Sequence, residues 1–333
     1  MTKVAIIGTT TWGTTLGIIL ARKGVSVRLW ARTEKESFAM NSSRSNTSFL
    51  PGIAFPQRIS VSHSLPDVLR DVDMVIMAIP AQTMRSNIRA AAEYLQDNSI
   101  VVSVSKGLER DTSLRMSEVI SEELSISNNL VCVLSGPNLA KEIVQGLPAI
   151  SILASRDAEI AAKGQKILST RNFCVNISQD IIGVELGGSL KNIIALAAGL
   201  SDGLGLGDNA RAAIITRGMG EITQLAIMAG AQPETLYGLA GWGDLVVTCS
   251  SALSRNHFVG LELGRGRSIG SITQGMKNIA EGVPTTVSAR MLAEKYGVQT
   301  PMIELIYSVL YNGLSPKKAL MELLGFPAKR ELY

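Results

Sequence analysis

Residues 3–32, KVAIIGTTTWGTTLGIILARKGVSVRLWAR, divide into a β-rich run from Lys3 to Ile7, a glycine turn, an apolar helix from about Gly13 to Lys23 stopped by Gly24, and a second strand over Val25 to Trp30. Strand, glycine turn, helix and strand in about 30 residues open a dinucleotide-binding fold. The fingerprint is imperfect. Gly8 and Gly13 fill the first and third glycine positions, which serve the tight turn and close helix–strand packing. Thr10 holds the second, where backbone must approach a pyrophosphate. Any βαβ unit of a parallel sheet opens in the same way, so this stretch alone leaves both readings standing. At the end of the second strand, NAD-specific sites usually place a carboxylate for the ribose 2'-hydroxyl, whereas an arginine accommodates a 2'-phosphate. This chain has Ala31, Arg32 and Thr33, and the nearest acid, Glu34, comes late for that role. Arg32 therefore favours NADPH over NADH, the plain alternative being a surface arginine with no cofactor duty.

Outward from this opening, strand candidates follow at Ile59–Ser62, Met74–Ala78, Ser99–Val104, Leu130–Leu134, Ala149–Ala154 and Asn172–Ile177, most of them separated by helical patterns. That alternation predicts an α/β, Rossmann-like N-terminal domain on a mostly parallel sheet. Asn41–Gln57, polar and containing SFLPG, reads as a loop that can fold over a ligand. Lys106 follows VVSVS and Asn138 follows VCVLSGP, both just past strand ends, where the ligand crevice of an open α/β sheet lies. Pro137 suits the first position of a helix carrying Asn138, whose free N–H groups favour an anion. Near Gln179 β-alternation gives way to helical periodicity. The chain is expected to divide into residues 1–180, dinucleotide-binding, and 181–333, an all-α substrate and catalytic domain.

In that second part Lys191 is the only charged side chain from Leu186 to Ser201. Helical side chains lean toward the N-terminus, which lays Lys191 over Gly188 and Gly187. Two glycines in a helix interior cost roughly 1 kcal/mol each against alanine, so a close approach must offset them. The ammonium is expected to project over bare backbone, open to a small ligand and facing the crevice between domains. A snorkelling lysine beside a tight helix crossing is the alternative.

Composition narrows the classes. A hydrophobic fraction of 46% with 18% charged residues is that of a globular chain with a sizeable core. The net charge of +4 is scattered and aromatics are 5%, which argues against a nucleic-acid surface and suits a small anionic ligand. Cys132, Cys174 and Cys249, odd in number and set among apolar residues, read as buried reduced thiols of a cytoplasmic protein. His63 and His257 have no second ligand at metal spacing, so no metal is expected. Threonines and glycines between Gly8 and Thr15 interrupt what would mimic a signal peptide, and no run is expected to reach the roughly 18 apolar residues of a membrane helix.

YGLAGWGDLVVTCSSALSRN at 237–256, GGSLKNIIALAAG at 187–199, SVSKGLE at 103–109, SGPNLAKE at 135–142, FLPG at 49–52 and NIAEGVPT at 278–285 carry a resemblance that runs in one order from the first strand to about Pro284. Together they resemble soluble bacterial-type NAD(P)-dependent glycerol-3-phosphate dehydrogenase. The resemblance implies reversible reduction of dihydroxyacetone phosphate to sn-glycerol 3-phosphate, supply of glycerophospholipid synthesis, and a homodimer. It makes Lys191 the proton acceptor in alcohol oxidation and the donor in ketone reduction. It assigns Lys106, Gly136, Asn138, Asp244, Ser254, Arg255 and Asn256 to substrate. To the cofactor it assigns Thr11, Trp12, Arg32, Thr33, Phe49, Lys106, Ala140, Arg255, Ile279 and Glu281, beside the fingerprint residues. Asn138 and Thr11 stand where relatives often have serine, Phe49 where they have tyrosine, and Thr10 where they have glycine.

The residue types suit that chemistry. A hydride reaching a ketone carbon requires a proton at its oxygen, which a lysine delivers well once burial and a neighbouring cation such as Lys106 lower its pKa. Asp244, if adjacent, works the other way and orients the ammonium. Arg255 offers a planar fork to a phosphate dianion. Two rivals stand beside this reading: a dehydrogenase of another 2-keto or 2-hydroxy acid, and a binding protein that has lost catalysis, with Thr10 as its first symptom.

Overall fold

The structure, a computed structural model, describes residues 1–124, 130–276 and 279–325. Strands form where β-branched and apolar residues run together: β1 (Lys3–Ile7), β2 (Ser26–Trp30), β3 (Ile59–Ser62), β4 (Met74–Met77), β5 (Ile100–Ser103), β6 (Val131–Ser135), β7 (Ala149–Ser155) and β8 (Phe173–Ser178). They make one eight-stranded sheet in the order β3-β2-β1-β4-β5-β6-β7-β8. Every pairing is parallel except β6 with β7, and Val4 of β1 faces Val27 on one side and Met74 on the other. β4, β5 and β6 are buried along their whole length, as expected of parallel strands covered on both faces. The chain winds from β1 to β3 in one direction, then returns to place β4 on the other flank of β1. That reversal between β1 and β4 is a topological switch point, where such sheets bind ligands.

The helices between strands are α1 (Thr11–Arg22), α2 (Glu34–Ser43), α3 (Leu65–Leu69), α4 (Met84–Ala91), α5 (Met116–Glu123), α6 (Ala140–Val144) and α7 (Ala158–Leu168). After β8 the described chain is helical: α8 (Ile181–Gly203), α9 (Asp208–Met228), α10 (Pro233–Tyr237), a π-helical turn (Leu239–Gly243), α11 (Asp244–Ser250), α12 (Arg255–Gly264), α13 (Ile269–Gln274), α14 (Gly282–Tyr296), α15 (Pro301–Tyr311) and α16 (Pro316–Leu323). Two compact units result. The first holds Met1–Lys106 and Arg115–Val184, and the second holds Gly107–Leu114 and the chain from Glu185 onward. α8 is long and apolar enough to cross a membrane by length and composition, contrary to the expectation that no run would be, yet 94% of its apolar window is buried inside the protein. It is the core helix of the second unit.

Three local expectations are corrected. Asn41 to Ser43 are helical, because the polar face of α2 continues to Arg44, which ends the helix at a positive φ of 47°. α6 begins at Ala140, so Pro137 and Asn138 precede it rather than opening it, and its five residues make little more than one turn. Cys174 is exposed while Cys132 and Cys249 are buried. Cys174 lies on the edge strand β8, where alternate side chains, Cys174 and Asn176, face outward.

Candidate functional site

The first unit gathers the fingerprint residues at the switch point. Gly8 has φ of 114°, and a Cβ there would strike the carbonyl oxygen of Ala78 at the end of β4. A Cβ on Gly13 would strike the carbonyl oxygen of Gly8. Both positions therefore admit only glycine, and the turn is a backbone cradle opening on the N-terminus of α1. Thr10, the departure at the second glycine position, N-caps that helix. Its hydroxyl accepts from the Gly13 amide at 3.2 Å and donates to the Ala78 carbonyl at 3.0 Å. The amides of Thr11 and Trp12 stay at the open end of α1, where helices lack internal acceptors for their N–H groups and favour phosphate. The cradle fits a dinucleotide pyrophosphate. Trp12 meets Phe173 edge to face, with ring centroids 6.1 Å apart.

Asn46 closes the turn from above, a residue that sequence reasoning passed over. Buried, its amide donates to the Thr9 carbonyl at 2.8 Å and the Thr14 hydroxyl at 2.9 Å, and its oxygen accepts from the Phe49 amide. The Thr11 hydroxyl donates to the Phe49 carbonyl, so the segment carrying Phe49 is fastened over the fingerprint by both. At the end of β2 the structure places an acid where sequence spacing showed none. Thr33 N-caps α2, and Glu36, three residues on, reaches back to accept from the Arg32 amide at 3.2 Å and the Thr9 hydroxyl at 2.5 Å. Thr33-x-x-Glu36 has the spacing of a capping box, and that was the available signal.

Past the ends of β5 and β6, Lys106 Nζ donates to the Gly136 carbonyl at 2.8 Å. Gly136 has φ of 139° and lies against Ser151, whose hydroxyl donates to Asn138 Oδ1 at 2.9 Å. The side-chain nitrogen of Asn138 is buried without a partner among the described residues. A buried amide donor in that state costs about 1–3 kcal/mol, which an acceptor on a ligand would recover. Ala140 opens α6, and its carbonyl accepts from Thr15 of α1.

In the second unit Lys191 is 4% exposed. Its ammonium donates to Asp244 Oδ1 at 2.9 Å and to the Thr248 hydroxyl, and Asp244 is itself 2% exposed. The expectation of a cation standing over bare backbone is corrected here. A Cβ on Gly187 would meet the Ala240 carbonyl oxygen at 3.1 Å and Gly241 Cα at 3.2 Å, so the π-helical turn fills the space that Gly187 leaves. Gly241 is equally constrained, since a Cβ there would strike the Leu236 carbonyl. Together these glycines let the π turn lie against α8 and deliver Asp244, its next residue, to Lys191. Thr248 went unnoticed in the sequence, although Asp244 and Thr248 are i and i+4 on α11 and share a face. Its hydroxyl also donates to the Asp244 carbonyl at 2.6 Å.

α12 meets α8 backbone to backbone. A Cβ on Gly199 would strike the His257 carbonyl, and one on Gly260 would strike the Leu196 carbonyl. Ser254 N-caps α12, and Asn256 in its first turn donates to Asn192 Oδ1 at 2.8 Å and accepts from the Gly282 amide at 2.9 Å. Asn192 and Asn256 thereby tie α8, α12 and the start of α14 together beside Lys191. His257 Nε2 lies 2.8 Å from Asp202 at the end of α8 and pins the same turn. Arg255 remains exposed, with a guanidinium nitrogen donating to the Ile279 carbonyl at 2.8 Å and Glu281 nearby. Arg255, Ile279 and Glu281 are thus brought together. Asn278, the first residue of NIAEGVPT, lies outside the described residues. No group of three His, Cys, Asp or Glu side chains that could hold a metal occurs among the described residues.

Comparison with known proteins finds relatives along nearly the whole chain. Residues 3–161 match the family model of the NAD-dependent glycerol-3-phosphate dehydrogenase N-terminus, and residues 180–321 match that of its C-terminus. A glycerol-3-phosphate dehydrogenase [NAD(P)+] of Dehalococcoides mccartyi is 53% identical over 100% of this chain and 93% of its own length. One from Thermobifida fusca is 42% identical over 100% and 99%. The crystal structure of glycerol-3-phosphate dehydrogenase from Coxiella burnetii superposes with a TM-score of 0.93 at 36% identity, covering 97% of this chain and 99% of that one.

Proposed function

The chain belongs to the NAD-dependent glycerol-3-phosphate dehydrogenase family, an NAD(P)-dependent oxidoreductase of sn-glycerol 3-phosphate and dihydroxyacetone phosphate, and on that premise we propose that Lys191 is its proton donor and acceptor. The observation that carries the proposal is a buried ammonium held between the Asp244 carboxylate and the Thr248 hydroxyl. NAD(P)H, when bound, supplies the hydride. The Gly8–Gly13 cradle, the open end of α1, and the segment of Phe49 are the parts of the first unit that would hold it. Lys191 keeps a proton at Nζ for the substrate oxygen and takes it back when the alcohol is oxidised. Asp244 and Thr248 aim that nitrogen, and each accepts one of its three N–H donors.

Arg255 and the open end of α12 offer the substrate phosphate a planar donor fork and helix N–H groups. Lys106 and Asn138 belong to the same proposal as polar partners of substrate or cofactor, supported by the buried donor on Asn138. Glycerophospholipid supply, a cytoplasmic location and a homodimer complete the reading. Apolar side chains that stay exposed on α9, α10 and α11, among them Met228, Tyr237 and Val246, support the dimer, and sedimentation equilibrium tests it.

Lys191→Met tests the catalytic role. Turnover is expected to fall roughly 10²- to 10⁴-fold, the scale of general acid catalysis, while reduced cofactor binds as before. A variant retaining most of its turnover would remove Lys191 from the chemistry.

A further inference from the structure

We propose that Glu36 selects the adenosine end of the cofactor and favours NADH over NADPH. The proposal rests on reading the first unit as the NAD(P)H site and concerns which nucleotide that site prefers. Glu36 is the third residue of α2, and its carboxylate bridges two turns: one oxygen accepts from Thr9 in the β1–α1 turn, and the other accepts from the Arg32 amide at the end of β2. In a dinucleotide-binding βαβ unit the pyrophosphate lies against the first of these turns and the adenosine ribose against the second, where an acid accepts from the 2'-hydroxyl. Sequence spacing left that position to Arg32, since the nearest acid, Glu34, comes late for the role. The first turn of α2 brings Glu36 back, because Thr33 caps the helix by accepting from the Glu36 amide at 3.1 Å.

A 2'-hydroxyl and a 2'-phosphate meet this carboxylate differently. The hydroxyl can donate to it. The phosphate brings like charge, and the Arg32 amide, the backbone donor at the end of β2 that would otherwise receive it, is already bonded to Glu36. The Arg32 guanidinium attracts a phosphate, but it is exposed and therefore screened by water and salt. Glu36 is half-buried and fixed by two bonds, so its repulsion is the better-placed of the two effects.

Dissociation constants of NADH and NADPH, measured by nicotinamide fluorescence on the full chain and on Glu36→Gln, test the idea without turnover. The wild type is expected to bind NADH at least about tenfold tighter than NADPH, and Glu36→Gln to shift that ratio about tenfold toward NADPH, the factor of one charge-assisted interaction. Glutamine keeps an acceptor while losing the charge, and a thermal melt verifies that the variant folds. If Glu36 merely holds the two turns together, both constants will move in parallel and the ratio will stay, which overturns the proposal. A wild type preferring NADPH would overturn it equally. Failure of the wild type to bind either nucleotide would overturn the cofactor reading itself, and the proposal with it.

Discussion

Gly187→Ala should damage catalysis although it touches no substrate and improves helix propensity. The added methyl would stand 3.1 Å from the Ala240 carbonyl oxygen and 3.2 Å from Gly241 Cα, so the π-helical turn must retreat by a few tenths of an ångström. Gly241 leaves it little freedom, because its own Cα region is pressed against the Leu236 carbonyl. Asp244 follows that turn directly, and its 2.9 Å bond to Lys191 lengthens with it. Overpacking costs about 1–3 kcal/mol, and replacing a helical glycine returns about 1 kcal/mol, leaving a loss of roughly 0–2 kcal/mol. Since a misplacement of about 1 Å can cost 10²-fold, a few tenths should lower kcat roughly 3- to 10-fold. Gly220→Ala on α9 is the control, for nothing lies within 4 Å of its missing Cβ, and it should gain about 1 kcal/mol with unchanged kcat. Steady-state kinetics and thermal melts of both variants decide the matter, with at least about 2 °C expected between their midpoints. If Gly187→Ala is as stable and as active as Gly220→Ala, the packing account of Lys191 is wrong.

Thr248→Val removes a hydroxyl that accepts from the Lys191 ammonium and should cost about 1–3 kcal/mol in stability along with a fall in kcat, measured by urea unfolding and initial rates. Glu221 on α9 accepts from the Met302 and Ile303 amides at 2.8 and 2.9 Å, and burial, with Glu304 near, raises its carboxyl pKa to about 7. A raised pKa means the folded state takes up the proton. The stability this contributes is complete below the usual carboxylate pKa and disappears as pH climbs through about 7, so melting temperature should fall between pH 5 and 8 in the wild type by more than in Glu221→Gln. An identical slope in both would contradict it. Native protein should react with a thiol reagent at Cys174 alone, since burial pushes the Cys132 and Cys249 thiols up to about 12, and modification of all three without denaturant would refute that burial.

What the sequence disclosed and what it hid follow one physical line. Every strand was legible, because β4, β5 and β6, buried on both faces, are short runs of β-branched and apolar residues, and β2, β3 and β8 keep apolar residues at alternate positions between polar connections. Lys191 was legible as an isolated charge in an apolar helix. Its surroundings were not, because the partner across from Gly187 comes from a turn more than fifty residues later, and local spacing cannot say whether a glycine faces a ligand or another backbone. Glu36 and Asn46 were missed for the same reason. A side chain that reaches back across a helix cap or into a distant turn carries only a capping-box spacing, or no local signal at all. Cys174 misled because an edge strand is as apolar in its inward residues as a central one, and only its place in the sheet exposes the alternate side chains.

The most direct test of the central claim is the absorbance of reduced cofactor when dihydroxyacetone phosphate is added to the purified chain. Consumption of NADH or NADPH with one sn-glycerol 3-phosphate formed per cofactor oxidised is the expected result. A chain that binds the reduced cofactor and leaves it unconsumed would contradict the account.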